Sequence, residues 1–180
     1  YVKVTLPKVS ETGPNANRVQ PYKIIPVTLK VNETVKPTVK LVGDDRRDIT
    51  LSEGIADADL PKVTVYRGEK ANVTIKASDN TGKIQELRGN GMPNGIWFNK
   101  VGSNEQWLTS DNATETNPLS HTITGVVETG NGTGEKIVIV TAKDKTNPTN
   151  VTTVKFKMVV KEQKEKYTPT APTNAVNFNN

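Results

Sequence analysis

The sequence has no cysteine and only one histidine among its 180 residues. The lack of cysteine excludes a disulfide framework, a thiolate metal site and thiol catalysis. The single histidine, His121, cannot build a multi-histidine metal site, and any histidine-based catalysis would depend on it alone. Its neighbour Ser120 does not help, because adjacent side chains on a strand point to opposite faces. The sequence therefore predicts no catalytic residue, no cofactor and no metal site, and hence no enzyme.

Aromatic residues make up only 5% of the chain and hydrophobic residues 33%. No apolar stretch reaches the roughly 18 residues that a membrane span needs, so we expect none in this segment. The apolar residues are instead concentrated in short alternating runs that are rich in Val and Ile, which favours strands over helices. We therefore expect an all-β protein.

The net charge is +5, and the lysines that produce it are spread along the chain. They recur, for example, at Lys36 and Lys40 and again at Lys155 and Lys157. A chain that binds nucleic acid usually clusters its basic residues and interleaves them with aromatic residues or glycine-rich loops. The dispersed pattern indicates solvated strand faces, and we expect no nucleic-acid partner.

The two ends of the chain differ from its centre. Residues 2–6 alternate before a proline, and after a polar, turn-forming stretch a second alternating run covers residues 25–31. The two runs predict a β-hairpin over residues 1–35, which is either the end of a preceding repeat or an extension that packs on the central segment. Residues 161–180, rich first in Lys and Glu and then in Thr, Pro and Asn, predict an extended linker.

Between residues 36 and 160, alternating runs recur about every 8–15 residues with turn signals between them. This spacing, with no convincing amphipathic helix, predicts an antiparallel β-sandwich. The side chains that we expect in its core are those of Val65, Val73, Ile75, Ile96, Phe98, Ile137, Ile139, Phe156 and Met158.

The order of three motifs along this central segment is informative. They are the strand–turn–strand pattern of 63–69 and 73–80, the run Gly91-Met-Pro-Asn-Gly-Ile-Trp-Phe98, and the pair 123–125 and 134–144 that a final strand follows. In this order they resemble the immunoglobulin-like and cadherin-like repeats of bacterial surface proteins. The style resembles Gram-positive, particularly staphylococcal, cell-wall adhesins of the giant matrix-binding type.

The resemblance implies an immunoglobulin/cadherin-like β-sandwich in a protein outside the cell, on the bacterial cell wall. It implies a non-catalytic module that acts as a stalk or spacer repeat and contacts neighbouring repeats of the same chain. A host extracellular matrix protein or a glycan is the expected partner if the module is also adhesive. The alternative is an accessory carbohydrate-binding module of a secreted polysaccharide-degrading enzyme, for which two exposed, coplanar tryptophans would be the distinguishing feature.

Residues 99–122 form a longer insertion than the resembled repeats usually have, and long loops on a sandwich are common binding sites. Trp97 alternates with the core positions Ile96 and Phe98, so it is either exposed or, as we expect, buried under the insertion. Either the insertion binds a ligand, or it is a loop that packs against its own tryptophan. The candidate ligand-binding residues are Trp97, Asn104, Trp107, Asp111 and Asn112.

Calcium is the remaining metal to consider, because Asp79-Asn80 and Asp144 follow predicted strands, as the ligands of cadherin-like tandems do. Calcium takes six to eight oxygen ligands, usually from several carboxylates, and the acidic residues here are dispersed. Aspartates at strand ends more often cap turns through their own backbone. We therefore predict a turn-capping role and stability that does not depend on calcium.

A related module of serine-rich streptococcal adhesins binds sialoglycans through a Thr-Arg motif. This chain contains no Thr-Arg pair, and Arg88 follows Leu87. The sequence by itself therefore gives no support for that specific activity.

Overall fold

The computed structural model of the protein describes four stretches of the chain, residues 2–5, 22–25, 33–99 and 107–163. The chain divides into two compact units, Tyr1–Asn32 and Glu33–Asn180. In the first unit, strand β1 (Val2–Thr5) pairs antiparallel with strand β2 (Tyr22–Ile25). The prediction of two antiparallel strands before the sandwich is confirmed, although the second strand contains Tyr22, ahead of the predicted start at Ile25.

Two parts of the sequence interpretation lie outside the described residues. These are the rest of the predicted second run, over residues 26–31, and most of the predicted linker, from residue 164 onward. The domain boundaries at residues 35 and 160 stay predictions.

The described part of the second unit forms two five-stranded sheets. The first sheet has the strand order β4-β3-β6-β10-β8, and the second has the order β5-β12-β11-β7-β9. A single 3-10 turn, Asp57–Asp59, interrupts the described strands. The strands are β3 (Thr38–Val42), β4 (Asp48–Thr50), β5 (Lys62–Tyr66), β6 (Val73–Ser78), β7 (Ile84–Asn90), β8 (Ile96–Trp97), β9 (Trp107–Ser110), β10 (Leu119–Gly125), β11 (Gly134–Asp144) and β12 (Val151–Lys161).

The two sheets pack face to face as a sandwich, which confirms the all-β fold class. One pairing departs from a purely antiparallel arrangement, because β5 runs parallel to β12, with Val63 beside Met158. Parallel neighbours need a crossover connection, and here the chain between β5 and β12 passes through both sheets before it returns. The alternation of side chains within a strand does not show whether that strand pairs parallel or antiparallel with its neighbour.

The core consists of one side-chain set from each sheet, as strand alternation requires. Phe98, Ile75, Phe156 and Met158 have at most 1% of their surface exposed. The remaining predicted core residues that are buried are Val65, Val73 and Ile96.

Strand β11 faces the opposite way from the prediction. Ile139 is 36% exposed and Ile137 is only partly buried, whereas Val138 and Val140 are fully buried. Both faces of this strand carry β-branched apolar residues, so alternation identified the strand but could not tell the inward side from the outward side. The prediction that Ile137 and Ile139 lie in the core is wrong.

The predicted long insertion is partly regular structure. Strand β9 pairs antiparallel with β7, where Leu108 lies opposite Leu87, and β10 already begins at Leu119. The sequence indicated polar loops on both sides of Trp107, because the edge strand β9 places only one apolar side chain, that of Leu108, towards the core. As a result, the second sheet extends one strand beyond the part that the sequence predicted.

The turn into β8 depends on glycine. Gly95 has a φ of +82°, and a Cβ at this position would lie 2.1 Å from the carbonyl oxygen of Val126. A side chain would therefore be strained by its backbone conformation and would also overlap with the neighbouring chain. This close approach directs Ile96 and Phe98 into the core, as the sequence predicted.

Candidate functional site

A row of four outward-facing side chains crosses the second sheet. Trp107 of β9 lies opposite Arg88 of β7, Arg88 lies opposite Thr141 of β11, and Thr141 lies opposite Thr153 of β12. We call these four residues the Arg88 row. Because neighbouring strands lie about 4.8 Å apart, the row spans roughly 14 Å, the length of a short oligosaccharide.

The Arg88 row is accessible and partly apolar. Trp107 is 49% exposed, and the Arg88 side chain is 50% exposed. In the next row of the same face, Ile139 lies between Asn90 and Lys155 and is also exposed. Large apolar side chains that remain in solvent among polar neighbours are typical of recognition surfaces.

The charge on this face favours an anion. Arg88 donates from Nε to Glu86 Oε1 at 2.8 Å, a contact that uses one of the five N–H donors of the guanidinium group. Lys143 lies directly across the strand pair from Glu86. The acidic side chain thus has two basic neighbours, and the planar guanidinium group is suited to bidentate binding of a carboxylate.

The chemistry of the row matches a sugar acid better than a reaction centre. A tryptophan ring can pack on the apolar face of a sugar, threonine hydroxyls can exchange hydrogen bonds with sugar hydroxyls, and arginine can bind a carboxylate. The row itself contains no nucleophile with an adjacent base, which acyl or glycosyl transfer would need.

The structure separates the five residues that the sequence grouped as a site. Trp107 belongs to the Arg88 row, but Trp97 lies in β8, at the edge of the other sheet, opposite Thr124. The two tryptophans occupy outward positions of different sheets, and the described residues show no ring contact between them. Asn99, two residues after Trp97, donates from Nδ2 to the carbonyl oxygen of Trp107 at 3.1 Å.

The expectation that Trp97 is buried is wrong, since 36% of its surface is exposed. Trp107 is 49% exposed, and residues 100–106 of the insertion lie outside the described residues, so the anchoring of the insertion by Trp107 stays a prediction. Asn104 lies outside the described residues.

Asp111 and Asn112 follow β9 at one end of the sandwich. Asp111 accepts a hydrogen bond from Lys145 Nζ at 2.7 Å, and this hydrogen bond and the positive charge lower the pKa of Asp111. The backbone of Asn112 donates to Ser110 Oγ and accepts from Asn117 Nδ2. About 13 Å of extended chain separates Trp107 from Asp111, so Asp111 and Asn112 lie outside the Arg88 row, and their role in ligand binding stays a prediction.

His121 packs against Phe98. Its Nε2 is hydrogen-bonded to the carbonyl oxygen of Phe98, and the two rings pack with their centroids 5.4 Å apart. Among residues 33–99 and 107–163, no group of three or more His, Cys, Asp or Glu side chains is arranged to hold a metal ion.

Both aspartates that were candidates for calcium cap turns. Asp79 Oδ1 accepts from the backbone N–H of Thr81 at 2.8 Å, and Asp144 Oδ1 accepts from that of Thr146 at 2.7 Å. This is the turn-capping role that the sequence indicated. Both side chains are also buried, which the sequence did not indicate.

The sequence did not identify Thr141 as a candidate site residue. Arg88 was considered only for the Thr-Arg motif, which this chain lacks because Leu87 precedes Arg88. The structure brings a threonine and this arginine together across two strands rather than along one. The only sequence signal was that Arg88 and Thr141 each alternate with buried neighbours, and their pairing requires the register of β7 against β11.

Residues 56–166, more than half of the chain, match the profile of the GspA/SrpA SigLec-like domain. The chain therefore belongs to the GspA/SrpA SigLec-like domain family. This match covers every strand from β5 to β12, and so includes the whole second sheet and the Arg88 row. A search of curated proteins finds no significant match.

Two solved adhesin structures from Streptococcus sanguinis have a similar fold. A point mutant of the SrpA adhesin is 20% identical, with a TM-score of 0.53 over 80% of this chain and 67% of that one. The sialic acid binding region of the SK1 adhesin, bound to 3'sLn, is 24% identical, with a TM-score of 0.51 over 79% of this chain and 34% of that one. The family match and these adhesins support the class of surface adhesin modules; the giant matrix-binding type stays a prediction.

Membrane insertion by a helix has no candidate in the described stretches. None of their helical residues forms a segment with the length and apolar content that a transmembrane helix needs.

Proposed function

We propose that this chain is a non-catalytic, glycan-binding module of a bacterial cell-surface adhesin, displayed outside the cell on the cell wall. We further propose that its ligand is a glycan with a terminal acidic sugar, such as sialic acid, and that the Arg88 row binds it. Family membership supports the class, and the similar structure described as the sialic acid binding region of the SK1 adhesin, of which this chain matches 34%, supports the ligand chemistry.

The observation that carries this proposal is the cross-strand juxtaposition of Thr141, Arg88 and Trp107 on one exposed sheet face. Arg88 would bind the carboxylate, Thr141 a neighbouring hydroxyl or carboxylate oxygen, and Trp107 the apolar face of the next sugar. The absence of a Thr-Arg pair in the sequence does not oppose this role, because a sheet supplies the same two side chains from adjacent strands.

A stalk role is the second candidate, and a separate observation supports it. The side-chain amides of Asn147 and Asn150 donate hydrogen bonds to the carbonyl oxygen of Glu33. The chain therefore enters the second unit beside the turn that precedes β12. Strand β12 then runs eleven residues, about 33 Å, to Lys161 at the opposite end. A module that is entered and left at opposite ends extends a chain of repeats. A host matrix protein remains a possible partner of such a stalk.

The accessory carbohydrate-binding module of a polysaccharide-degrading enzyme is less well supported. That interpretation needed Trp97 and Trp107 to be exposed and coplanar, and they lie instead on outward positions of different sheets.

A glycan and matrix-protein array tests the proposed function. We expect the wild-type protein to bind sialylated glycans and not their desialylated counterparts. Arg88→Gln should weaken this binding roughly 10- to 100-fold, since hydrogen bonds to charged groups contribute about 1.5–3 kcal/mol.

Arg47→Gln is the matched control, because Arg47 has 85% of its side chain exposed in the turn between β3 and β4, beside Asp45. Its binding should equal that of the wild type. Sialoglycan binding that Arg88→Gln leaves intact would reject the site. Binding to matrix proteins alone would reject the glycan ligand, and binding to nothing on the array would favour the stalk role.

A further inference from the structure

Two carboxylates enter the interior of the sandwich from opposite sheets. Asp79 continues the inward-facing set of β6 that includes Ala77, and Asp144 continues the inward-facing set of β11 that includes Ala142. Asp79 is 4% exposed and Asp144 is 0% exposed. Both residues stand where β6 and β11 finish, and a contact between their turns brings them to the same end of the second unit.

Direct contacts connect the two turns that these aspartates cap. The hydroxyl of Thr81 donates a hydrogen bond to Asp79 Oδ1. The same hydroxyl accepts a hydrogen bond from the hydroxyl of Thr146 at 3.1 Å, and Thr146 belongs to the turn that Asp144 caps. The backbone N–H of Lys145 also donates to the carbonyl oxygen of Lys83. The two carboxylates are thus linked through the hydroxyls of Thr81 and Thr146 and the backbone of Thr146.

One oxygen of this group has no partner. Asp79 Oδ2 is buried and makes no hydrogen bond to any described residue, whereas Asp144 Oδ2 has the amide of Asn150 at 3.5 Å. Since Asp79 Oδ1 faces its own turn, Oδ2 is the oxygen that remains for a ligand in the interior. A buried acceptor without a partner loses its hydration without compensation.

No basic side chain of the described stretches compensates the two negative charges. Neither aspartate takes part in an ion pair there, and Lys145, one of the two lysines adjacent to Asp144, is bound to Asp111. Buried charges in proteins are paired or coordinate metal ions. Two buried carboxylates without an ion-pair partner, in turns that contact each other, therefore fit a cation as their counter-charge.

We propose that Asp79 and Asp144 form a calcium site that closes this end of the sandwich, in addition to the glycan surface. Asp79 Oδ2 and the Asp144 carboxylate supply the charge, the hydroxyls of Thr81 and Thr146 are neutral oxygen ligands, and carbonyl oxygens and water complete the shell. This reverses the expectation from the sequence, where the two aspartates, 65 residues apart, were counted as dispersed. The bound ion crosslinks the turn after β6 to the turn after β11.

Calcium binding at this site would stiffen the module as well as raise its melting temperature. The turn after β11 also contains Asn147 and Asn150, which bind the backbone where the chain enters the second unit. An ion that fixes this turn also fixes the attachment of residues 33–35. The end of the module at which force would enter is then stiffer with calcium than without it.

The test is the melting temperature of the full chain, freed of metal with chelator, as calcium is added. We expect a saturable rise of roughly 5–10 °C at a calcium concentration of about 100 times the Kd, and one ion bound per chain by calorimetric titration. Asp79→Asn should weaken calcium binding roughly tenfold or more, because it removes ligand charge. It still folds, since an asparagine oxygen caps the same turn.

Asp59→Asn is the matched control, because Asp59 is exposed in the 3-10 turn. Its calcium response should equal that of the wild type. A wild-type melting temperature that calcium does not change would overturn the proposal, as would an unchanged response in Asp79→Asn.

Discussion

The outer faces of the two sheets differ in what their side chains contact. On the first sheet, the Thr74 and Thr122 hydroxyls bind each other at 3.0 Å, and Lys76 pairs with Asp48 at 2.8 Å. On the second sheet, Trp107 and Ile139 remain exposed beside Arg88. Away from its edge residue Trp97, the first face pairs these polar side chains with one another, whereas the second face also exposes Trp107 and Ile139 near Arg88.

This difference supports the proposal that the ligand binds the second sheet. A solvated face needs only soluble side chains that pair with one another, and exposed ion pairs of this kind contribute little to stability. Exposed tryptophan and isoleucine carry a solvation cost that folding does not require. The inner side chains of the second sheet pack the core, and its outer side chains include those of the proposed glycan site.

The largest expected effect tests this division within β12. Phe156→Ala should lower the free energy of unfolding by about 3–5 kcal/mol, because Phe156 is completely buried and its removal leaves a cavity. The measurement is denaturant unfolding. Lys155→Ala, one residue away on the outer face, should cost less than about 1 kcal/mol, since it removes only an exposed pair with Asp57. Equal losses would mean that the outer face also supports the fold.

A smaller effect distinguishes the two exposed tryptophans. Trp107→Ala should weaken glycan binding roughly threefold to tenfold through the loss of ring packing, while Trp97→Ala on the other sheet should leave it unchanged. Binding curves of both variants on immobilised sialoglycan would measure this. If Trp97→Ala is the more damaging change, the ligand lies on the edge of the first sheet, as the sequence had grouped it.

The smallest effect concerns the charged end of the second face. Glu135 is hydrogen-bonded to Lys157 and Lys62, and these contacts lower its pKa. A carboxylate with a lowered pKa stabilises the fold above its ordinary pKa of about 4.3, and this contribution is lost as the pH falls through the lower, folded-state value.

Glu135→Gln should therefore melt below the wild type at pH 7, and the gap should narrow as the pH falls below about 4. Melting temperatures across that range provide the test. Glu115→Gln, at an exposed loop position, is the control and should show no such convergence. A gap that stays constant with pH would show that these ion pairs do not contribute to the stability of this end.

Much of the fold followed from the sequence. Alternation located β6, β8, β11 and β12, and turn chemistry located the turns after Asp79 and Asp144. Less of the candidate site could be predicted from the sequence, because its residues lie on different strands that only pair in the folded sheet. Trp107 was identified from its rarity in a polar stretch, but its partners Arg88 and Thr141 lie 19 and 34 residues away along the chain.

The sequence by itself determined the secondary-structure class, since β-branched alternation and turn residues act over a few neighbouring positions. Only the tertiary structure decided which face of β11 is buried, that β5 runs parallel to β12, and that Arg88 meets Thr141. It also decided that Asp79 and Asp144 lie at the same end of the core. The reason is that strand register and sheet packing are set by the summed burial of many side chains, and a one-residue shift would exchange every inward and outward residue.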